Sequence, residues 1–255
     1  MSPAKNSPDP GRFMARTKSF TRRGRSLEGA LARAWEESGD FIVPVRRGEG
    51  YTTVAEDHEP LDFEALFGRK APLVVEIGSG TGDQILTAAR KNPQNNYLAF
   101  EVWVPGIAKA LNKLDGLTNV RFVEADVAQA GPLLLSPSSV SELWTFFPDP
   151  WRKSRHHKRR LVQTEFATQV ATWLVPGGRW RLATDWNDYA WWMRDVIESV
   201  PVLRNEYAGQ NPDLDDPAGN RGGFAPRYDG RIMTTFENKG LQAGRTVHDL
   251  VAVRD

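Results

Sequence analysis

The chain has 255 residues, enough for one large domain or two small ones, and its hydrophobic (40%) and charged (25%) fractions are those of an ordinary soluble globular protein. The lack of cysteine excludes disulfides, thiolate metal sites and a cysteine nucleophile, and without a long apolar run we expect a cytoplasmic protein with no membrane-spanning helix. The net charge of +1 hides an asymmetry: residues 1–25 hold seven basic residues against Asp9, a charge of +6, which leaves −5 on the rest.

The basic N-terminal segment has two interpretations. A positive arm on a slightly acidic body steers a protein toward nucleic acid, but it is equally typical of a disordered, soluble tail. Behind it, apolar residues at helical spacing predict a short helix within 26–39. We therefore predict a flexible basic arm with a short helix over 1–55 and one main domain over 56–255.

From Leu73 onward, predicted strands alternate with predicted helices. The strands are Leu73–Ile77, Tyr97–Glu101, Val120–Glu124, Leu143–Phe147 and Arg179–Ala183. Helices are predicted from a glycine turn to about Arg90, from Pro105, over 162–174 up to Pro176-Gly177-Gly178, and over 189–197. This alternation predicts an α/β fold with a mostly parallel sheet covered by helices on both faces. Residues 201–230 are predicted to form a long loop, and the β-prone runs 231–237 and 246–254 a terminal antiparallel hairpin.

A glycine-rich turn, Glu76-Ile-Gly78-Ser-Gly80-Thr-Gly82-Asp83, joins the first strand to the first helix. It departs from the dinucleotide-binding fingerprint, because Asp83 takes the place of the last glycine. A carboxylate at Glu76 disfavours a pyrophosphate and favours an amino group or a sulfonium. The alternative is a plain strand–helix turn, in which the glycines serve only the backbone.

Acidic residues end four successive strands: Glu76, Glu101, Asp126 and Asp149. In an open α/β sheet, ligands bind outside the carboxyl ends of the strands, and an acid at the place of Glu101 holds a ribose diol. Asp126 is placed to meet the amide edge of an adenine. Any one of these acids alone is more often a solvated turn residue. Together with Gly78, Gly80 and Gly82, the four predict a pocket for S-adenosylmethionine.

The segment Thr145–Lys153 reads Thr-Phe-Phe-Pro-Asp-Pro-Trp-Arg-Lys. Because proline restricts both itself and the residue before it, Pro148 and Pro150 are predicted to hold Phe147 and Asp149 extended. Six cations follow within ten residues: Arg152, Lys153, Arg155, Lys158, Arg159 and Arg160. Such a run is usually a solvated helix face, but beside the predicted pocket it favours phosphate binding. The adjacent His156 and His157 lack metal-ligand spacing, so we predict no metal site.

The sequence resembles the bacterial tRNA (guanine-N7-)-methyltransferase family, of the class I S-adenosylmethionine-dependent methyltransferases. The resemblance covers roughly residues 16–255, and its motifs are Glu76–Gly82, Phe147–Arg160, Ala183-Thr-Asp-Trp186, Thr234-Thr-Phe-Glu237 and Asp249–Arg254. It implies a Rossmann-like fold with a seven-stranded sheet and a methyltransferase domain over 56–255. The implied activity is methyl transfer from S-adenosylmethionine to N7 of guanosine 46 in the tRNA variable loop, and the implied partner is tRNA. Monomer and homodimer stay open.

The resemblance also implies residue roles. It assigns cofactor binding to Glu76, Gly78, Gly80, Gly82, Glu101, Asp126 and Asp149, and catalysis to Asp149. It assigns substrate binding to Lys153, Asp185, Thr234, Thr235, Phe236 and Glu237. The family usually has Thr-Lys-Phe-Glu where this chain has Thr235, so a phosphate contact is either missing or supplied by a neighbour such as Arg231 or Lys239.

Guanine N7 carries a lone pair at neutral pH, so methyl transfer requires positioning and no general base. Asp149 and Asp185 are candidates to hold the guanine edge or to stabilise its developing positive charge, in a division that the sequence leaves open. Trp151 or Phe147 either stacks on an extruded base or packs in the core or the loop. The alternatives are a methyltransferase for another RNA, a catalytically inactive RNA-binding relative, and a nicotinamide oxidoreductase, which Glu76 and Asp83 disfavour.

Overall fold

A computed structural model of the chain describes residues 18–20, 24, 26–50, 52–213, 215–219 and 221–255, without the side chains of Thr235 and Phe236. Apart from Lys18, the basic residues of the segment 1–25 lie outside the described residues. The prediction that this arm is flexible and binds nucleic acid therefore stays a prediction.

The core of the protein is a seven-stranded sheet with the order β3-β2-β1-β4-β5-β7-β6. Strands β1 to β5 pair in parallel, and β7 is antiparallel to both β5 and β6. This confirms the predicted fold class. The strands are β1 (Leu73–Ile77), β2 (Asn96–Glu101), β3 (Val120–Glu124), β4 (Val140–Phe146), β5 (Leu174–Thr184), β6 (Leu203–Asn205) and β7 (His248–Arg254).

Helices cover both faces of the sheet, as predicted. In chain order they are α1 (Ala30–Glu36), α2 (Phe63–Phe67), α3 (Asp83–Lys91), α4 (Val104–Leu111), α5 (Val127–Leu134), α6 (Thr164–Trp173), α7 (Asn187–Ser199) and α8 (Thr235–Gln242), with short 3-10 turns at Gly39–Phe41 and Ser154–Arg159. Helices α3 and α4 bury their apolar faces with one side of the sheet, and α5, α6 and α7 with the other. Helix α5 is absent from the sequence prediction.

The segment before the main sheet packs against it. Helix α1 contacts α4, and the Val43 amide donates to the Phe122 carbonyl at the β3 edge with an N–O distance of 2.9 Å. Val43 and Val54 belong to the same hydrophobic cluster as β1 and β4. The predicted domain boundary at residue 55 stays a prediction, and in this structure α1, Val43 and Val54, which precede it, pack on the main domain.

Strand β5 begins earlier than predicted. We expected helix α6 to end near Pro176-Gly177-Gly178, but it ends at Trp173 and β5 starts at Leu174. The register of the β4–β5 pairing shifts between Val140 and Glu142, which leaves a bulge on β5. This bulge accommodates Pro176, which cannot donate a ladder hydrogen bond.

The antiparallel C-terminal end of the sheet is confirmed, but different strands form it. The predicted strand 231–237 is wrong, because Thr234 caps helix α8 by accepting a hydrogen bond from the Glu237 amide at 3.1 Å. A Thr-x-x-Glu sequence is a helix-start signal, and here it prevails over the β propensity of Ile232 and Phe236. The partners of β7 are β5 and β6, and β6 lies within the predicted loop 201–230.

Candidate active site

A cleft opens at the carboxyl ends of β1, β2, β3 and β4, where the strand order reverses on either side of β1. It brings together most of the predicted cofactor-binding residues. Its lining includes Gly78, Gly80, Glu101, Asp126 and Asp149, and the aromatic walls are Phe20, Phe100, Trp103, Phe146 and Phe147. Four strands that are distant in sequence therefore deliver their terminal residues to one cavity.

The glycine turn leaves one side of the cleft open. Gly80 has φ of 57°, a conformation that side-chain-bearing residues rarely adopt, and a Cβ there would meet no atom within 4 Å. Gly82 has a different role. A Cβ on Gly82 would lie 2.5 Å from the Ala110 Cβ, so this glycine lets α3 pack against α4. The structure thus places Gly78 and Gly80 in the cleft wall and Gly82 in a helix contact.

Glu101 fixes the geometry of the turn. One of its carboxylate oxygens accepts from the Gly80 amide at 2.7 Å, and the other accepts from the Val102 and Trp103 amides at 2.7 and 2.8 Å. These bonds join the loop after β1 to the loop after β2. Asp126 caps α5 by accepting from the Ala128 amide at 3.2 Å, and burial raises the pKa of its carboxyl. Both acids are therefore held rigidly at the cleft.

Glu76 lies in strand β1 just before the glycine turn, and it is not among the residues that line the cleft. Its side chain is buried, at 4% exposure. Burial, with a smaller contribution from the nearby Glu101 charge, raises its pKa to about 8. Among the described residues, its Oε2 atom has no hydrogen-bond partner. A buried carboxyl with an unused oxygen has bonding capacity for a cationic or hydrogen-bond-donating ligand.

The Phe147–Asp149 loop differs from its prediction. Phe147 was expected to be extended, but its φ is 52°. Pro148 disfavours the right-handed helical region for Phe147, and the residue adopts the left-handed one. Its amide still donates to the Ala183 carbonyl at 2.8 Å, so the chain turns sharply as it leaves the sheet. This turn leaves Asp149 exposed at the cleft.

The cationic run divides into exposed and buried members. Arg160 is buried, donates to the Pro150 carbonyl at 3.0 Å and pairs with Asp188. Its guanidinium lies 4.7 Å from the Tyr189 ring and 5.4 Å from the Trp192 ring. The prediction that Arg160 binds phosphate is wrong, because its side chain supports the loop from within. The exposed members are Arg152, Lys153, Arg155, Lys158 and Arg159.

Trp151 packs against its own loop and against the N-terminal segment. Its Nε1 donates to the Ser19 carbonyl at 3.0 Å, and the Arg159 guanidinium lies 4.8 Å from its ring. Of the two interpretations of this aromatic residue, the packing one is favoured, whereas Phe147 stays available at the cleft wall. Ser19 and Phe20 also line the cleft. Sequence reasoning missed this pair, since only the charge of its segment carried a signal.

The predicted substrate-binding residues of the C-terminal region cluster around helix α8. Glu237 is buried and accepts from Arg227 through both oxygens, at 2.8 and 3.1 Å. Asp185 accepts from the Arg245 Nε at 2.8 Å, and a Cβ on Gly240 would lie 2.8 Å from its Oδ2. The side chains of Thr235 and Phe236 lie outside the described residues. Arg231 is buried between two carboxylates, so it cannot supply the missing phosphate contact, whereas Lys239 is exposed.

No helix in the described part of the chain is both long and apolar enough to cross a bilayer. Over the same residues, the side chains of His, Asp and Glu form no group of three that could hold a metal ion.

The parallel sheet closed by antiparallel strand β7, with an acid-lined cleft beside a glycine turn, is the fold of the class I methyltransferases. A family model described as "Putative methyltransferase" matches residues 70–250, and a tRNA (guanine-N(7)-)-methyltransferase of Paenarthrobacter aurescens (strain TC1) is 44% identical over 94% of the chain and 92% of its own length. The chain belongs to the tRNA (guanine-N(7)-)-methyltransferase family.

Further relatives with the same name agree with this membership. The one from Cutibacterium acnes is 45% identical over 91% of the chain and 81% of its own length, and the one from Hydrogenovibrio crunogenus is 37% identical over 99% and 97%. Among solved structures, the 16S rRNA methyltransferase KamB matches with a TM-score of 0.52 and 19% identity, over 80% of the chain and 99% of its own. That likeness shows the fold.

Proposed function

We propose that the protein transfers the methyl group of S-adenosylmethionine to N7 of guanosine 46 in the variable loop of tRNA, in the cytoplasm. The relatives' names support the reaction. The observation that carries the proposal is the cleft itself, because the exposed Asp149 and the open Gly78–Gly80 turn line the same cavity.

The residues of the cleft fit the proposed cofactor. Gly78 and Gly80 leave room beside their backbone, and the firmly held Glu101 is the residue that would bind the ribose hydroxyls. Asp126 would meet the adenine edge, and the unused oxygen of Glu76 would face a positively charged or hydrogen-bond-donating group. When bound, S-adenosylmethionine supplies an electrophilic methyl group on sulfonium.

The chain's own residues would position the guanine. N7 needs no deprotonation, so orientation and charge stabilisation supply the acceleration. Arg245 engages Asp185, and Asp149 is exposed at the cleft. We therefore assign the guanine N1–H and N2–H edge to Asp149. Phe147 and Trp103 would exclude water from the walls.

One experiment tests the proposal directly. The protein is incubated with labelled S-adenosylmethionine and either unmodified tRNA or ribosomal RNA, and any methylated nucleotide is mapped. Label at N7 of guanosine 46 supports the proposal. Label on the ribosomal RNA would favour a methyltransferase for another RNA, and label at another atom of tRNA would contradict the assignment to N7. Binding of tRNA without any methyl transfer would favour a catalytically inactive RNA-binding relative.

The exposed and buried cations of the loop after β4 should behave differently. The logarithm of the tRNA binding constant falls linearly with the logarithm of the salt concentration, and the slope of this line counts the phosphate contacts. Lys153→Ala is expected to reduce the magnitude of this salt slope by about 1, because one phosphate contact and its counterion release are lost. Arg160→Met should leave the slope unchanged and lower the melting temperature, because Arg160 is enclosed by Tyr189 and Trp192. Binding titrations over a salt series, with thermal unfolding of both variants, measure the difference. An identical slope for wild type and Lys153→Ala would remove the phosphate role.

A further inference from the structure

A buried arginine connects the wall of the cleft to the C-terminal helix. The Arg231 Nη1 lies 2.8 Å from the Glu237 Oε1, and its Nη2 donates to the Asp249 Oδ2 at 2.6 Å. The guanidinium carbon lies 5.2 Å from the centre of the Phe147 ring. Phe147 lines the cleft two residues before Asp149. Arg231 therefore supports the aromatic residue that begins the Asp149 loop.

The surrounding charges balance within the protein. Glu237 and Asp249 are buried, and two arginines, Arg231 and Arg227, neutralise them. A buried ion pair contributes little net stability compared with an apolar replacement, but the loss of one member leaves an unpaired buried charge. Arg231 also joins three elements: the loop after β4, helix α8 and strand β7. A change at this residue is transmitted to all three.

We propose that Arg231 is a positioning residue for methyl transfer. It fixes the position of the Phe147 ring relative to Glu237 on helix α8, and Phe147 in turn fixes the position of the Asp149 loop. It acts through these residues and touches neither substrate, since its side chain is fully enclosed. The inference rests on the proposed function and deepens it.

The expected effect of losing Arg231 is on turnover. A displacement of a reacting group by about 1 Å can cost about 100-fold in rate, so Arg231→Met should lower kcat about 100-fold. The dissociation constant for tRNA should change less than about threefold, because exposed cations elsewhere dominate that affinity. Arg231→Lys keeps the charge but cannot bridge both carboxylates in the same plane, so it should recover part of the lost kcat.

Arg194 provides a matched control. It too is buried, pairs with two carboxylates, Asp195 and Asp216, and lies near an aromatic ring, with 5.6 Å between its guanidinium and Phe224. Its partners lie on α7 and in the loop after β6. Arg194→Met should lower the melting temperature to a similar degree and leave kcat within about twofold at a temperature where all variants are folded.

The decisive measurement is a double-mutant cycle on kcat between Arg231→Met and Phe147→Leu. If Arg231 acts through Phe147, the double variant is about as slow as the slower single variant; independent effects would multiply. Multiplicative effects, or equal kcat losses in Arg231→Met and Arg194→Met, would overturn the positioning role. So would an Arg231→Lys variant as slow as Arg231→Met. Wild-type protein that transfers no methyl group would instead overturn the proposed function, and the inference with it.

Discussion

Asp149→Ala is expected to lower methyl transfer about 1,000-fold or more, while the melting temperature and the tRNA dissociation constant stay near their wild-type values. Removing one preorganised group from a site of developing charge typically costs about 100- to 1,000-fold, and Asp149 would also orient the guanine. Stability should change little, because the Asp149 side chain is exposed and is not a member of the ion pairs that Arg231 forms with Glu237 and Asp249.

Single-turnover methylation of tRNA, with tRNA binding measured separately, tests this expectation. Asp149→Asn keeps the shape and removes the charge, so it distinguishes a steric role from an electrostatic one. Asp115→Asn is a suitable control, because Asp115 is exposed on the loop after α4 and has a φ of 47° that asparagine also tolerates. An Asp149→Ala enzyme with near-wild-type turnover would refute the catalytic assignment.

Glu76→Gln is expected to stabilise the ligand-free protein at about pH 8 and to weaken its binding of S-adenosylmethionine. The folded-state pKa of Glu76 is raised from its ordinary value of 4.5 to about 8, so folding takes up a proton between these pH values. The stability of the wild type therefore falls as pH rises through this window, by roughly 5 kcal/mol in all. Glutamine cannot ionise and escapes this loss.

Thermal unfolding of both proteins across about pH 5 to pH 8 measures the effect, which should vanish at the acid end, where Glu76 is protonated. Calorimetric titration with S-adenosylmethionine should show affinity reduced about 10- to 100-fold, the contribution of a charged hydrogen bond. Glu142→Gln on the neighbouring strand is the control, since Glu142 pairs with Arg181 at 2.7 Å and its loss should not stabilise the protein. A Glu76→Gln protein that is no more stable than wild type near pH 8 would contradict the buried charge.

Hydrophobic patterning predicted the parallel part of the fold and the place of the cleft. Strands such as β1 and β3 are short apolar runs bounded by turn residues, and their predicted limits are confirmed. Because parallel strands point the same way, acids at their ends had to meet at one edge. The cofactor and substrate roles of these acids are not read from this geometry, and they stay proposals.

The remaining features depend on contacts between distant residues. No local pattern distinguishes the buried Arg160 and Arg231 from the exposed Lys153, because aromatic rings and carboxylates from other elements enclose the first two. The left-handed conformation of Phe147 likewise depends on the hydrogen bond from its amide to the Ala183 carbonyl. The rule for residues before proline considers only chain neighbours, so it could not predict this contact. Segment 231–237 shows the limit of propensity, since the cap at Thr234 decides the outcome.

The position of β7 between β5 and β6 has a consequence for synthesis on the ribosome. Strand β7 is supplied by residues 248–254, yet it fills the interior of the sheet next to β5. Until those residues emerge, β5 presents an unpaired edge, the kind of surface on which nascent chains aggregate. Asp249 arrives in the same strand and completes the ion pair with Arg231. The emergence of residues 248–254 therefore both pairs the open edge of β5 and completes the ion pair of the Arg231 that lies beside the cleft wall.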